Sequence, residues 1–247
     1  CWNQFKSLTE NTTTYEDCFI DNNSDKNLIF LGDSSIIVFA KFFEENQTLT
    51  DTYNYIFLST MGRYFFNPID VNSNCKNCIL NTIQDSNSII IFSHRLVDHV
   101  EDRGSIYFTE NQSYSGASSG FKSYFESLKK INKNIIVIEP YPEITSSPRE
   151  VLLNKKLFEN KNFDKLYLPY SLWVENSTTT SEILDFIKGL NIPIVETVDK
   201  FCDAKTDQCL TYVKPDLIYL DKTHINSNGV ELVLNDLVNS IKKTSSP

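Results

Sequence analysis

The stretch Asn27-Leu28-Ile29-Phe30-Leu31-Gly32-Asp33-Ser34-Ser35 decides how the rest of the chain is read. Leu28 to Leu31 is an apolar run of the length of a fully buried strand. Gly32 interrupts it, and Ser35 to Glu45 (SIIVFAKFFEE) has apolar residues on most sides of a helix. A strand, a tight turn and a helix place the turn at the carboxyl end of a sheet strand, where open α/β folds bind ligands. Ser34 then lies near a helix N-terminus, whose free N–H groups and positive dipole end stabilise an oxyanion. The same residues have a plainer reading, in which Asp33 or Ser34 merely caps the helix.

Outward from this unit the pattern repeats. Tyr53–Leu58 (YNYIFL), Ser88–Ser93 (SIIIFS), Asn134–Ile138 (NIIVI) and Ile192–Val195 read as strands. Phe121–Ile131, Arg149–Phe158, Ser181–Leu190 and Val230–Lys242 have helical periodicity, and Cys75 to Gln84 reads as a short helix. The alternation predicts an α/β fold with a largely parallel five-stranded sheet covered on both faces. Residues 1–26 read as an irregular polar lead-in, and Tyr114 to Gly120 as a surface insertion. Glu139 to Pro148 carries three prolines and reads as a loop. Leu217 to Leu220 reads as a further strand before a polar loop. With no repeat and no domain-breaking linker, residues 1–247 are expected to form one domain.

Composition removes several classes. At 247 residues, 40% apolar and 13% aromatic, the chain can fill a core. A net charge of −9 with no basic stripe argues against nucleic acid. No apolar run approaches the roughly eighteen residues of a membrane span. No leader pattern precedes Cys1 and Met61 is the only methionine, so a mature or excised segment is expected. Six cysteines fall in three local couples, Cys1 with Cys18, Cys75 with Cys78 and Cys202 with Cys209. That usage points to disulfides and an oxidising compartment, with nearest-neighbour pairing the simplest of the 15 connectivities. Zinc is the rival, because Cys75-x-x-Cys78 is a common half-site, but the spacing of Cys202 and Cys209 fits it poorly. No metal and no cofactor are expected.

A serine nucleophile needs a general base within hydrogen-bond reach, and that base an orienting carboxylate. The chain offers three histidines, His94, His99 and His224. His224 follows Asp221 by three residues, and a D-x-x-H turn can hold both side chains on one side. In isolation this turn reads as a capping Asp beside a solvated His. Together with Gly32-Asp33-Ser34 it reads as a Ser, Asp and His triad, defined by geometry rather than by chain order. His94 and His99 share no metal-ligand spacing and are assigned surface or structural roles.

Gly32-Asp33-Ser34 after an N-terminal strand, with Asp221-x-x-His224 before the last helix, resembles the SGNH (GDSL-type) hydrolase superfamily. The Cys1…Cys18 lead-in, the segment FCDAKTDQCL before IYLDKTHINSNG, and Ile135 to Glu143 (IIVIEPYPE) are similar to one subgroup. That subgroup is the extracytoplasmic SGNH domain fused to acyltransferase-three membrane proteins, which O-acetylate surface polysaccharides. The resemblance implies a three-layer, flavodoxin-like fold and a triad of Ser34, His224 and Asp221. It implies an oxyanion hole from the Ser34 N–H and Gly62. The family's usual third-block Asn is absent; Ser93-His94-Arg95-Leu96 stands in its place, and Arg95 is a candidate cationic donor. Ser35 stands where the family often has His. The implied chemistry is acetyl transfer to a polysaccharide hydroxyl through a serine acyl-enzyme. The acyl donor would be delivered by a membrane domain, at a periplasmic or cell-surface location. A secreted carbohydrate O-acetylesterase and a non-catalytic glycan-binding module are the alternatives. Tyr64, Phe65, Tyr114 and Trp173 are candidate sugar-stacking aromatics, set against core packing.

Overall fold

The computed structural model describes residues 16–46, 52–59, 82–96, 105–109, 112–115, 117–144, 169–210, 212–213 and 216–245. Strands β1 (Glu16–Ile20), β2 (Asn27–Gly32), β3 (Asn54–Ser59), β4 (Ser88–Ser93), β5 (Ser105–Thr109), β6 (Gln112–Ser115), β7 (Ile135–Ile138) and β8 (Ile194–Val195) come first. Two small hairpins follow, β9 (Cys202–Asp203) with β10 (Gln208–Cys209), and β11 (Tyr212–Val213) with β12 (Asp216–Leu217). The helices are α1 (Ser35–Asn46), α2 (Ala117–Ile131), α3 (Tyr170–Asn176), α4 (Thr178–Gly189), α5 (Val198–Phe201) and α6 (Ser227–Thr244).

The main sheet runs β1-β3-β2-β4-β7-β8. Its five strands from β3 to β8 are parallel, as the sequence predicts. Their order is that of flavodoxin-like folds, in which strand order reverses beside the first strand and ligands bind at that crevice. Here the reversal lies between β2 and β4, at the carboxyl ends that carry Ser34 and Arg95. The lead-in is not wholly irregular: β1 pairs antiparallel with β3 and covers that edge as a sixth strand.

Parallel strands buried on both faces read as nearly unbroken apolar runs, and β2 shows why. Leu28 and Phe30 face one core, with α1 and α6, while Ile29 and Leu31 face the other, with α2 and α4. Helix α1 is apolar on most sides because Ile36, Val38, Phe39, Phe42 and Phe43 are all buried in the first core. Phe30 stacks on Phe57 with centroids 4.7 Å apart and meets Phe43 at 5.4 Å. Truncating such a fully buried ring costs about 3–5 kcal/mol. At the opposite, amino-terminal ends of the strands, an amide network ties neighbours together. Asn54 Nδ2 donates to Asn27 Oδ1 (3.2 Å), Asn27 Nδ2 to Ser88 Oγ (3.2 Å), and Asn132 Nδ2 to Ser88 O (3.1 Å).

Several local expectations change. The insertion at Tyr114 to Gly120 instead contains the end of the β5–β6 hairpin and the start of α2. Leu217 to Leu220 adds no strand to the main sheet: Leu217 pairs within the β11–β12 hairpin and Tyr219 forms a lone bridge to Ile225. Helix α3 (YSLWVEN) spans only seven residues, too few to show an apolar period. The expected helix at Arg149–Phe158 lies outside the described residues.

Candidate active site

Gly32 ends β2 level with Ser93 at the end of β4. A Cβ there would sit 1.6 Å from the Ser93 carbonyl oxygen, so only glycine permits the two strand ends to meet. The chain then turns through Asp33 and Ser34 into α1. Ser35 N–H donates to Asp33 Oδ1 (2.9 Å), and the Ile36 and Ile37 N–H groups to the Asp33 and Ser34 carbonyls (both 3.2 Å). Asp33 therefore does cap the helix start, as the plainer reading held, while leaving Ser34 partly exposed at the tip.

The second half of the site comes from the loop before α6. Asn226 caps that helix by accepting from Gly229 N–H, and its Nδ2 donates to Leu217 O (2.7 Å). The Tyr219–Ile225 bridge narrows the loop, and Leu220 N–H donates to His224 O (2.8 Å). Asp221 and His224 thus lie on one side of a closed turn. His224 Nδ1 is 2.8 Å from Asp221 Oδ2 and 3.0 Å from Oδ1, and His224 Nε2 is 2.7 Å from Ser34 Oγ. The three expected triad residues are in hydrogen-bond contact.

Burial pushes the Asp221 carboxyl up. Hydrogen bonds from the Thr223 N–H, the His224 ring and the His224 N–H outweigh that and hold it below the ordinary value. The ionised carboxylate can therefore keep the proton on Nδ1 and leave Nε2 to accept from Ser34. Thr223 Oγ1 lies 3.1 Å from Asp221 Oδ1 and 3.2 Å from His224 Nδ1, a contact the sequence reading did not assign.

Asp33 is nearly buried. Its burial also pushes the carboxyl up, and the adjacent His94 ring with hydrogen bonds from Arg95 N–H and Ser35 outweighs this and lowers it. Its Oδ2 accepts from Arg95 N–H (3.0 Å) and lies 3.7 Å from His94 Nδ1. His94 is buried against Phe92 and Phe121, consistent with a structural role. The Arg95 guanidinium is held by Glu143, with Nε 2.9 Å from Oε1 and Nη2 on the same oxygen.

Gly62, Tyr64, Phe65 and His99 lie outside the described residues, as does the side chain of Tyr114. Trp173 is buried, 4% exposed, which removes it as a sugar-stacking surface. Cys202 and Cys209 form a disulfide across the β9–β10 hairpin. Cys1, Cys75, Cys78 and the Cys18 side chain lie outside the described residues. Among the described residues no group of three or more His, Cys, Asp or Glu side chains could hold a metal ion. No helix among them is long and apolar enough to cross a membrane.

A Gly-Asp-Ser turn after the first parallel strand and an Asp-x-x-His loop before the last helix are the SGNH pattern. The model of the family described as "SGNH domain (fused to AT3 domains)" matches residues 3–238, and the chain belongs to that family. Membership supports acetyl-transfer or esterase-type activity based on a serine. The periplasmic domain of a lipopolysaccharide acetyltransferase from Salmonella ser. Paratyphi A is similar at 18% identity and a TM-score of 0.57, over 90% of this chain and 85% of that one. The acetyl xylan esterase AlAXEase is similar at 13% identity and a TM-score of 0.51, over 87% and 99%. These likenesses establish the fold. No curated protein matches the sequence.

Proposed function

We propose that this chain is one extracytoplasmic SGNH domain, spanning residues 1–247, that transfers acetyl groups to hydroxyls of a cell-surface polysaccharide. A membrane acyltransferase domain would deliver the acyl donor. The observation that carries the reading is the 2.7 Å contact between Ser34 Oγ and a His224 ring backed by Asp221. The family, whose members are fused to AT3 domains, supports the membrane partner.

In this mechanism His224 Nε2 takes the Ser34 proton as Oγ attacks the acetyl carbonyl carbon. The oxyanion forms at the start of α1, where the Ser34 N–H and the helix dipole face it, with Gly62 and Arg95 as further proposed donors. Collapse breaks the donor's ester bond, His224 returns the proton to the leaving group, and an acetyl ester remains on Ser34. A sugar hydroxyl then gives its proton to His224 and attacks the same carbon; the bond from that carbon to Ser34 Oγ breaks, His224 returns the proton to Oγ, and the acetylated sugar leaves. Water in place of the sugar gives hydrolysis. The half-exposed Asp221 side chain, 51% accessible, favours a site open to water, so the carbohydrate esterase is kept as the second reading.

A fluorophosphonate that reacts with activated serines tests the core of the proposal. Labelling of Ser34, absent in Ser34→Ala, supports either enzyme; product analysis with an acetyl donor and a glycan then separates transfer from hydrolysis. A folded protein that is not labelled and turns over no acetyl ester would be a binding module instead.

A further inference from the structure

The loop after β7, Glu139-Pro140-Tyr141-Pro142-Glu143-Ile144, takes no part in the chemistry above, yet it touches both halves of the site. Toward the Asp221–His224 turn it makes two bonds. Tyr219 Oη donates to Pro142 O (2.5 Å), and Ile144 N–H donates to Lys222 O (2.9 Å), which grips the turn between its carboxylate and its imidazole. Toward the nucleophile, Glu143 holds the Arg95 guanidinium through Nε and Nη2. The Arg95 N–H donates to Asp33 Oδ2 (3.0 Å), and Asp33 Oδ1 accepts from Ser35 N–H (2.9 Å).

These bonds form an unbroken chain from Ser35, next to the nucleophile, to Lys222, next to the triad carboxylate, and none of them is a triad contact. We propose that Glu143, acting through Arg95, is a positioning residue that sets the spacing between Ser34 and His224. Exposed ion pairs hold little, but this one is 18% and 31% exposed, and both its partners are tied onward through backbone groups. Two donors on one carboxylate oxygen also fix direction as well as distance. Reaction rates are steep in such spacing, with a displacement of about 1 Å able to cost about a hundredfold.

The inference rests on the serine acyl-enzyme reading, and one set of variants separates the two. Steady-state hydrolysis of p-nitrophenyl acetate and the rate of fluorophosphonate labelling are measured for the parent, Ser34→Ala, Glu143→Ala and Glu143→Gln. The expected result for Glu143→Ala is a fall in kcat of about ten- to a hundredfold, a parallel fall in labelling rate and an unchanged KM. Glu143→Gln, which keeps an acceptor oxygen, should recover part of the loss. A folded Glu143→Ala with parental kcat and labelling overturns the proposal. Should that variant not fold, Glu143→Gln decides, since it keeps the size of the side chain but removes the charge that holds both Arg95 donors. A partial fall in kcat and labelling rate there supports the link from Glu143 to Arg95, and parental values overturn it. A parent that neither turns over ester nor labels would remove the serine reading and the bracket with it. An active parent, silent in Ser34→Ala and unaffected in the other variants, would remove the bracket alone.

Discussion

Ser34 Oγ and His224 Nε2 lie 2.7 Å apart although 190 residues separate them in the chain. Two helix starts bring them together. Ser34 precedes α1, His224 precedes α6, and the two helices pack in the same core, through Phe39 and Phe43 on one and Val233, Leu237 and Ile241 on the other.

In the proposed mechanism Asp221 acts through His224, so Asp221→Asn should leave the fold intact and impair turnover. The introduced amide can present an N–H to Nδ1 and so favour the tautomer with its proton on Nε2, facing Ser34. A fall in kcat of about 10²–10⁴-fold on an acetyl ester is expected, with His224→Ala at least as severe. Circular dichroism with steady-state kinetics checks it.

Asp33 links acid stability to the site. Its folded carboxyl ionises at lower pH than in an unfolded chain. Its contribution is therefore complete above the ordinary carboxylate range near pH 4, and is lost as pH falls through the folded value. In Asp33→Asn one of the bonds to Ser35 N–H and Arg95 N–H must be replaced by opposed donors. A loss of about 1–3 kcal/mol at neutral pH is expected, with a flatter dependence below pH about 4. Urea unfolding across that range measures both.

Gly32→Ala tests the close approach of β2 and β4. The added carbon would lie 1.6 Å from the Ser93 carbonyl oxygen, a backbone atom that moves only if the strands part. A loss of about 3 kcal/mol or more is expected. Ser34→Ala, two residues on, should shift stability by no more than about 0.5 kcal/mol. Thermal unfolding of the two variants side by side makes the contrast.

The Cys202–Cys209 disulfide closes a short loop, seven residues in separation. Replacing both with Ser should lower stability by about 2 kcal/mol. Ester turnover per folded molecule should survive, because the hairpin makes no bond to the triad among the described residues. Unfolding and kinetics on one preparation check both halves.

The sheet was legible because its strands are buried on both faces, so SIIIFS and NIIVI stand out as bare apolar runs. The contact of Ser34, His224 and Asp221 was legible because each half sits in a short polar motif directly after or before such an element. The link between Glu143 and Arg95 was not. Glu143 and Arg95 lie on separate loops with no periodic signal, and their pairing depends on how β4 and β7 sit side by side. Prolines in EPYPE marked the loop without saying what it would touch. The strand at Glu16–Ile20 was missed for a related reason: its pattern EDCFI is half polar, and only the exposed edge of β3 makes it a strand.

The amide network at the amino-terminal ends of the strands sets the two poles of the molecule apart. Asparagine side chains neither gain nor lose protons in acid, so the Asn27, Asn54 and Asn132 contacts endure even below pH about 4, where carboxylates titrate. The opposite pole depends on Asp33 and Asp221, whose carboxyls are held below the ordinary range and titrate only in stronger acid. Acidification should thus disarm this protein from one end, silencing it while the sheet beneath still stands, and returning it to neutrality should restore function without any need to refold.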